Sequence, residues 1–265
     1  PVSLLDYRVV AKGVTAVRNE VEKYRSRGGY LIVDSTSQDD LKTLARALAE
    51  EPLIFGSSAL AEELPNFWGP PPIGLTLSGL PRSSVGTLVV AGSVTPQTKS
   101  QVGYLREQGF PVMAVDTRRL FVSKERAEEI EKAVSWASAI VNSGRPALVY
   151  GRHQPKDIEE TLEAADRAGF TKIEANRLVS CTLGEISRRI IEANKVKRLV
   201  VAGGETSNDV CRSLGIIGNL VLKEIQPGLP SGLSRGRNEL LVVLKSGSFG
   251  TPDFLVKALE HLEEL

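Results

Sequence analysis

The sequence predicts an α/β protein: two α/β units, each with a mainly parallel sheet flanked by helices, in a three-layer arrangement. Three observations point there. Short β-branched runs, YLIVD (30–34), TLVVA (87–91), LVVA (199–202) and LLVVL (240–244), alternate with segments whose apolar residues recur every three to four positions. Most of these runs stop at turns of Gly, Ser and Thr that read as helix starts, and strands alternating with helices imply a parallel sheet covered on both faces. The chain has 265 residues, 42% hydrophobic and 25% charged, enough for one large or two modest cores.

In chain order, Val10, Val14, Val17, Val21 and Tyr24 mark an amphipathic helix that Gly28-Gly29 ends. Tyr30–Asp34 reads as a strand, followed by a helix opened by Ser35-Thr36-Ser37 and lined by Leu41, Leu44, Ala45 and Leu48. The unit repeats with Leu53–Phe55 as strand, Gly56-Ser57-Ser58 as turn and Ala59–Leu64 as a short helix. The stretch 65–82, PNFWGPPPIGLTLSGLPR, reads as a linker draped over a surface through Phe67, Trp68, Ile73 and Leu75. The expected organisation is therefore 1–84 as one α/β unit ending in the linker and 85–265 as the second.

The alternation resumes with strand 87–91, a helix with Pro96 in its first turn, and strand 111–115. Ser123 is expected to cap a long helix carrying Ala127, Ile130, Val134, Ala137 and Val141 until Gly144. Ala147–Tyr150 reads as a strand, Lys156–Ala168 and Leu183–Ala193 as helices, and Leu199–Ala202 as a strand. Leu220–Ile225 follows as another strand; PGLPSGLSRGRN (227–238) reads as irregular. Leu240–Leu244 is the last strand, and Phe254, Leu255, Ala258 and Leu262 form the inner face of the last helix.

Composition excludes several classes. A net charge of +1 leaves no basic excess to neutralise a phosphodiester backbone, so no nucleic-acid partner is expected. No apolar run approaches a membrane span and no signal-peptide pattern opens the chain. Two separated cysteines, Cys181 and Cys211, suggest reduced thiols in a cytoplasmic protein, and with only two histidines, His153 and His261, no histidine-rich metal site can be drawn. The chain starts Pro1-Val2-Ser3 without methionine, which reads as the middle of a longer polypeptide.

The chemistry concentrates in three strand-ending turns: AGSVTPQT (91–98), AGGETSND (202–209) and LKSGSFGTPD (244–253). Glycines let an anion approach the backbone, and the first N–H groups of the following helix have no partner within it. One such turn could equally be a well-capped helix after a core strand. Since one helix terminus is worth at most ~2 kcal/mol and even millimolar binding needs about 4 kcal/mol, a nucleotide requires the turns to converge. Glu205 would repel a bare phosphate, so the reading implies Mg2+ with the nucleotide. Lys245 is read either as a charge on a phosphate or as a solvated surface residue, and Ser207 as a further phosphate contact. No Walker A loop or dinucleotide fingerprint is present. Gly232-Leu233-Ser234-Arg235-Gly236 matches a nucleophile elbow, with Asp253 and His261 in triad order, but it leads into a strand instead of a helix, leaving a serine hydrolase as a minor rival.

At these turns the sequence resembles the ATP-dependent four-carbon acid sugar kinases. VVAGSVTPQT (89–98), VVAGGETSNDV (200–210), EIQPGLP (224–230) and LKSGSFGTPDFLVKAL (244–259) carry the likeness in order, and PVSLLD (1–6), YLIVDSTSQDDL (30–41) and GSSALAEEL (56–64) are similar to the end of that family's amino-terminal domain. The resemblance implies ATP held by Ser93, by Gly203, Gly204, Glu205 and Thr206, and by Gly247, with phosphate passed to a hydroxyl of a short sugar acid. Asn208 stands where the family usually has glycine, and Ser248 where it often has asparagine. The family's Asp-rich segment, which contacts the sugar acid, has no counterpart in this sequence, so the catalytic base is unassigned. A kinase, and a nucleotide-binding subunit or fragment completed by a second chain, both remain open, as does a homo-oligomer.

Overall fold

The computed structural model describes residues 1–69 and 79–265. The chain divides into two compact units, Pro1–Thr76 and Leu77–Leu265.

In the first unit the order is β1 (Val2–Leu5), α1 (Tyr7–Val10), α2 (Val14–Arg25), β2 (Tyr30–Val33), α3 (Gln38–Leu48) and α4 (Ser58–Glu63). The expected single helix from Val10 to Tyr24 is broken at Gly13, which takes φ +92° and caps α2 from the left-handed region that only glycine enters freely. Strands β1 and β2 pair in parallel from Val2 opposite Tyr30 to Leu5 opposite Val33. One sheet face, with the helices, buries Leu5, Val10, Val17 and Leu44. The other face leaves Val2, Leu4, Tyr30 and Ile32 exposed. Ser37 and Asp40 form a reciprocal capping box that starts α3.

Leu53–Phe55 is not a strand, contrary to its composition. Leu53 and Phe55 are 71% and 80% exposed, and three residues with neither a ladder nor a core to join gain nothing from extension. Of the expected linker, Leu64–Phe67 forms a 3-10 turn and the Trp68 indole donates to the Ala49 carbonyl at 3.0 Å. Residues 70–78, with Ile73 and Leu75, lie outside the described residues.

The second unit runs β3 (Leu88–Ala91), α5 (Pro96–Glu107), β4 (Val112–Val115), α6 (Ser123–Asn142), β5 (Ala147–Gly151), α7 (Pro155–Arg167), α8 (Lys172–Asn194), β6 (Arg198–Ala202), α9 (Gly204–Leu214), β7 (Ile216–Gln226), β8 (Leu229–Gly236), β9 (Leu241–Lys245) and α10 (Phe254–Glu264). Its seven strands lie in the order β4-β5-β3-β6-β9-β8-β7. The pairs from β4 to β9 are parallel; β8 is antiparallel to both of its neighbours.

Three layers follow from the alternation within the strands. Leu88 and Val90 of β3 face a core built with α6, α8 and α9, while Val89 and Ala91 face one built with α5 and α10. Every residue of β3 is buried, as expected of a central parallel strand whose two faces are covered by helices.

Three local expectations are corrected. The segment 227–238 contains β8, eight residues long; its Pro230 sits where the pairing with β7 shifts register, a position that needs no donor, and a side chain on Gly232 would collide with Asn219. Helix α8 starts eleven residues earlier than the apolar spacing indicated, at a Thr171–Glu174 capping box after a mostly polar first half. Ser123 is the first helical residue of α6 and Val122 is the cap, so no side chain closes that helix start.

Candidate functional site

The strand order reverses between β3 and β6. The chain leaves β3 into α5 on one face of the sheet and leaves β6 into α9 on the other, so a crevice opens at their carboxyl ends, where open α/β sheets bind ligands. Adjacent β9 adds a third connection on the same edge, because it runs parallel to β6.

The three turns meet there. A Cβ on Gly247 would strike Ser93 Oγ, and one on Gly203 would lie 3.1 Å from Ser93 N. The Gly92 N–H donates to the Ala202 carbonyl at 3.1 Å and the Gly203 N–H to the Lys245 carbonyl at 2.9 Å, locking each turn to its neighbour. Gly203 has φ +127°, a backbone state closed to other residues without strain. Ser93, Gly203, Gly204, Glu205, Thr206 and Gly247 all line one cavity of about 420 Å³.

Gly204 is the most open of these positions: a Cβ there would touch nothing within 4 Å. It begins α9, whose first N–H groups have no acceptor inside the helix, and Thr95 caps α5 with Pro96 next to it. Two helix N-termini and a glycine turn therefore face one space, which makes it electropositive without a basic side chain on any of the three turns in its lining. Thr206 is buried, and its hydroxyl fills the space beside Gly92.

The two secondary candidates stand elsewhere. Lys245 is 1% exposed, so it is neither a solvated surface residue nor part of the cavity lining. Its ammonium lies 3.1 Å from Thr98 Oγ1 and 3.3 Å from the Gly247 carbonyl oxygen, and burial pulls its pKa down to about 8. Ser207 does not line the cavity, and its buried Oγ has no hydrogen-bond partner among the described residues.

The opposite wall went unread in the sequence. Arg152 follows Gly151 at the end of β5, and α7 and α8 contribute Ile158, Leu162, Asn176 and Val179. Arg152 lies 3.5 Å from Asp157 and 3.9 Å from Asp116, a carboxylate that the Arg118 guanidinium holds below the usual range. The readable signal was a fourth strand, 147–150, ending in glycine before a proline-started helix. The cavity thus grades from backbone donors at one end to an apolar wall with a guanidinium at the other.

Glu205 is the one carboxylate among the described lining residues. Among the described residues no group of three or more His, Cys, Asp and Glu could hold a metal. That donor set fits Mg2+ that arrives on a polyphosphate and takes one protein carboxylate, the usual manner of nucleotide-borne Mg2+.

The elbow motif lacks its context. Ser234 lies within β8, where its hydroxyl donates to the Asn238 carbonyl at 2.8 Å and accepts from the Leu240 N–H at 2.9 Å. His261 sits 2.8 Å from Ser231 Oγ instead, and Asp253 pairs with Lys257. No helix among the described residues is long and apolar enough to cross a membrane.

Fold and crevice together define a three-layer α/β protein with a switch-point crevice lined by glycine turns and helix N-termini. Comparison with known proteins gives that class a family. The model of a nucleotide-binding C-terminal domain matches residues 88–255, and that of a sugar-binding N-terminal domain matches residues 1–64. The chain belongs to the four-carbon acid sugar kinase family.

Among its relatives, a 3-oxo-tetronate kinase of Pseudomonas savastanoi is 34% identical over 98% of this chain and 59% of its own length. A D-threonate kinase of Salmonella typhimurium is 28% identical over 91% of this chain and 56% of its own. A solved structure from Haemophilus influenzae superposes with a TM-score of 0.72 at 27% identity, over 99% of this chain and 60% of that one. Another from Salmonella typhimurium reaches 0.79 at 25% identity, over 98% and 60%. The chain therefore spans about three-fifths of the length of these relatives.

Proposed function

We propose that this polypeptide takes part in ATP-dependent phosphorylation of a hydroxyl on a short, four-carbon sugar acid, and that the cavity between β3, β6 and β9 is its nucleotide site. The observation that carries the reading is the meeting of Ser93, Gly203–Thr206 and Gly247 around one open space. Names of relatives as tetronate and threonate kinases support the substrate class.

In this reading the phosphates lie against Gly203, Gly204 and Gly247, with Ser93 and Thr206 holding the turns in register. The nucleoside lies toward Ile158, Leu162 and Val179. Glu205 would hold the Mg2+ that travels with the phosphates, an ion that supplies charge neutralisation as the γ-phosphoryl group moves. The chain's own contribution is positioning and fixed backbone dipoles, which cost no reorganisation at the moment of transfer. With Glu205 on the metal, no second carboxylate among the described lining residues would be left to act as base for the acceptor hydroxyl.

Calorimetric titration with ATP and Mg2+ tests the site: heat at submillimolar nucleotide is expected, and none at millimolar nucleotide would end the reading. A second arrangement is a nucleotide-binding part that acts only when joined to further polypeptide. Nucleotide binding without turnover of D-threonate or 3-oxo-tetronate by the isolated chain would select it.

A further inference from the structure

The turn after β9 is held from beneath by donors. Thr95 Oγ1 donates to the Gly247 carbonyl oxygen at 2.6 Å, Thr98 Oγ1 reaches the same oxygen at 3.0 Å, and the Lys245 ammonium reaches it at 3.3 Å. Three residues along α5, Gln101 Nε2 continues the pattern, lying 3.0 to 3.1 Å from the carbonyl oxygens of Phe249, Gly250 and Thr251. Thr95, Thr98 and Gln101 recur every three positions, so one stripe of α5 grips successive carbonyls of the loop.

A planar trans peptide fixes what happens on the far side. The chain has no cis bonds among the described residues, so the carbonyl of Gly247 and the N–H of Ser248, which share one peptide unit, point in opposite directions. With that carbonyl drawn into α5, the Ser248 N–H is turned away from α5. Gly247 and Ser248 both line the cavity, and the Ser248 N–H donates to no protein acceptor among the described residues. An ammonium buried with a hydroxyl and a carbonyl, and no carboxylate, is a costly way to hold a loop unless the loop's orientation matters.

We propose that Lys245, with Thr95 and Thr98, is a positioning residue: it pins the Gly247 carbonyl and so presets the Ser248 N–H as a donor to the ligand's phosphate. The identity of the ligand rests on the nucleotide reading above; the pinning does not. Lys245 thus acts through the backbone at second hand instead of touching phosphate. Substitution at position 248 by any residue except proline keeps the donor.

The test uses the whole chain in two states. In nucleotide-free protein, amide exchange at Phe249 and Thr251 is measured for the wild type, Lys245→Met, Thr98→Val and Thr98→Ser. Methionine matches the length of lysine without its donors, valine matches threonine without its hydroxyl, and serine restores the hydroxyl. Exchange about tenfold faster in the first two variants, near wild type in Thr98→Ser, is expected from loss of one or two hydrogen bonds. MgATP affinity by calorimetry should fall about tenfold in the same two variants while the melting temperature of Lys245→Met holds or rises. Unchanged loop exchange in Lys245→Met, or faster exchange with wild-type affinity, overturns the proposal. Failure of the wild type to bind MgATP falls on the nucleotide reading, and the exchange result still decides the pinning.

Discussion

Thr206 Oγ1 occupies the space in which a side chain on Gly92 would begin. Gly92 opens the connection after β3, Thr206 lies in the first turn of α9 after the neighbouring parallel strand β6, and their contact sets how closely the first two turns approach. Gly92→Ala should therefore force β3 and β6 apart at the crevice. A loss of about 1–3 kcal/mol in stability is expected from this overpacking, together with weakened MgATP binding. Denaturant titration and calorimetry on one preparation check it; a variant with wild-type values in both would show the contact to be slack.

Gly204 makes the complementary case. Its backbone is not left-handed and the space before it is empty, so a side chain costs the fold little beyond helix propensity. Gly204→Val should melt within a few degrees of the wild type and yet bind MgATP at least about tenfold more weakly, because the new methyls fill the room a phosphate needs. Retained affinity would place the phosphates elsewhere.

Lys245 carries a signed pH dependence. Its folded pKa, about 8, lies below the ordinary lysine value of 10.5 because burial penalises the ammonium. Below pH 8 both states hold the proton and the full penalty is present, ~3 kcal/mol for a shift of this size. Between pH 8 and 10.5 the unfolded chain binds more proton than the native one, so the penalty shrinks as pH rises. Lys245→Met should consequently gain most over the wild type near neutral pH, and the gain should narrow toward pH 10.5 in urea titrations. A constant difference across that range would mean the ammonium is solvated.

Ser234 should prove structural. Its hydroxyl both donates and accepts within the β8–β9 connection, so Ser234→Ala is expected to cost about 1–2 kcal/mol of stability. No ester hydrolysis should depend on it, and a fluorophosphonate probe should leave the wild type unlabelled. Stoichiometric labelling at Ser234 would reopen the hydrolase reading.

Much of the architecture was readable because it rests on local rules. The runs 88–91, 199–202 and 241–243 are buried, continuous and rich in valine, the mark of strands covered on both faces, and the glycine turns after these strands announce helix starts. The misreadings have equally local causes. Leu53–Phe55 has strand residues but no partner strand, and β8 is written in Pro, Gly and Ser yet is extended by pairing on both edges. The polar first half of α8 hid a helix whose start is a capping box instead of an apolar stripe.

The sequence by itself determined the class of fold, the strand-ending turns and the glycine, serine and threonine positions within them, because dihedral freedom, capping and hydrophobic period act over a few neighbours. Only the tertiary structure decided that Ser93, Gly203 and Gly247, far apart along the chain, enclose one space, since strand order is set by how whole layers bury their faces. It also decided the place of Lys245. A lysine after a strand is solvated or buried according to what packs over it, and here α5 brings Thr98 to its ammonium from 147 residues away.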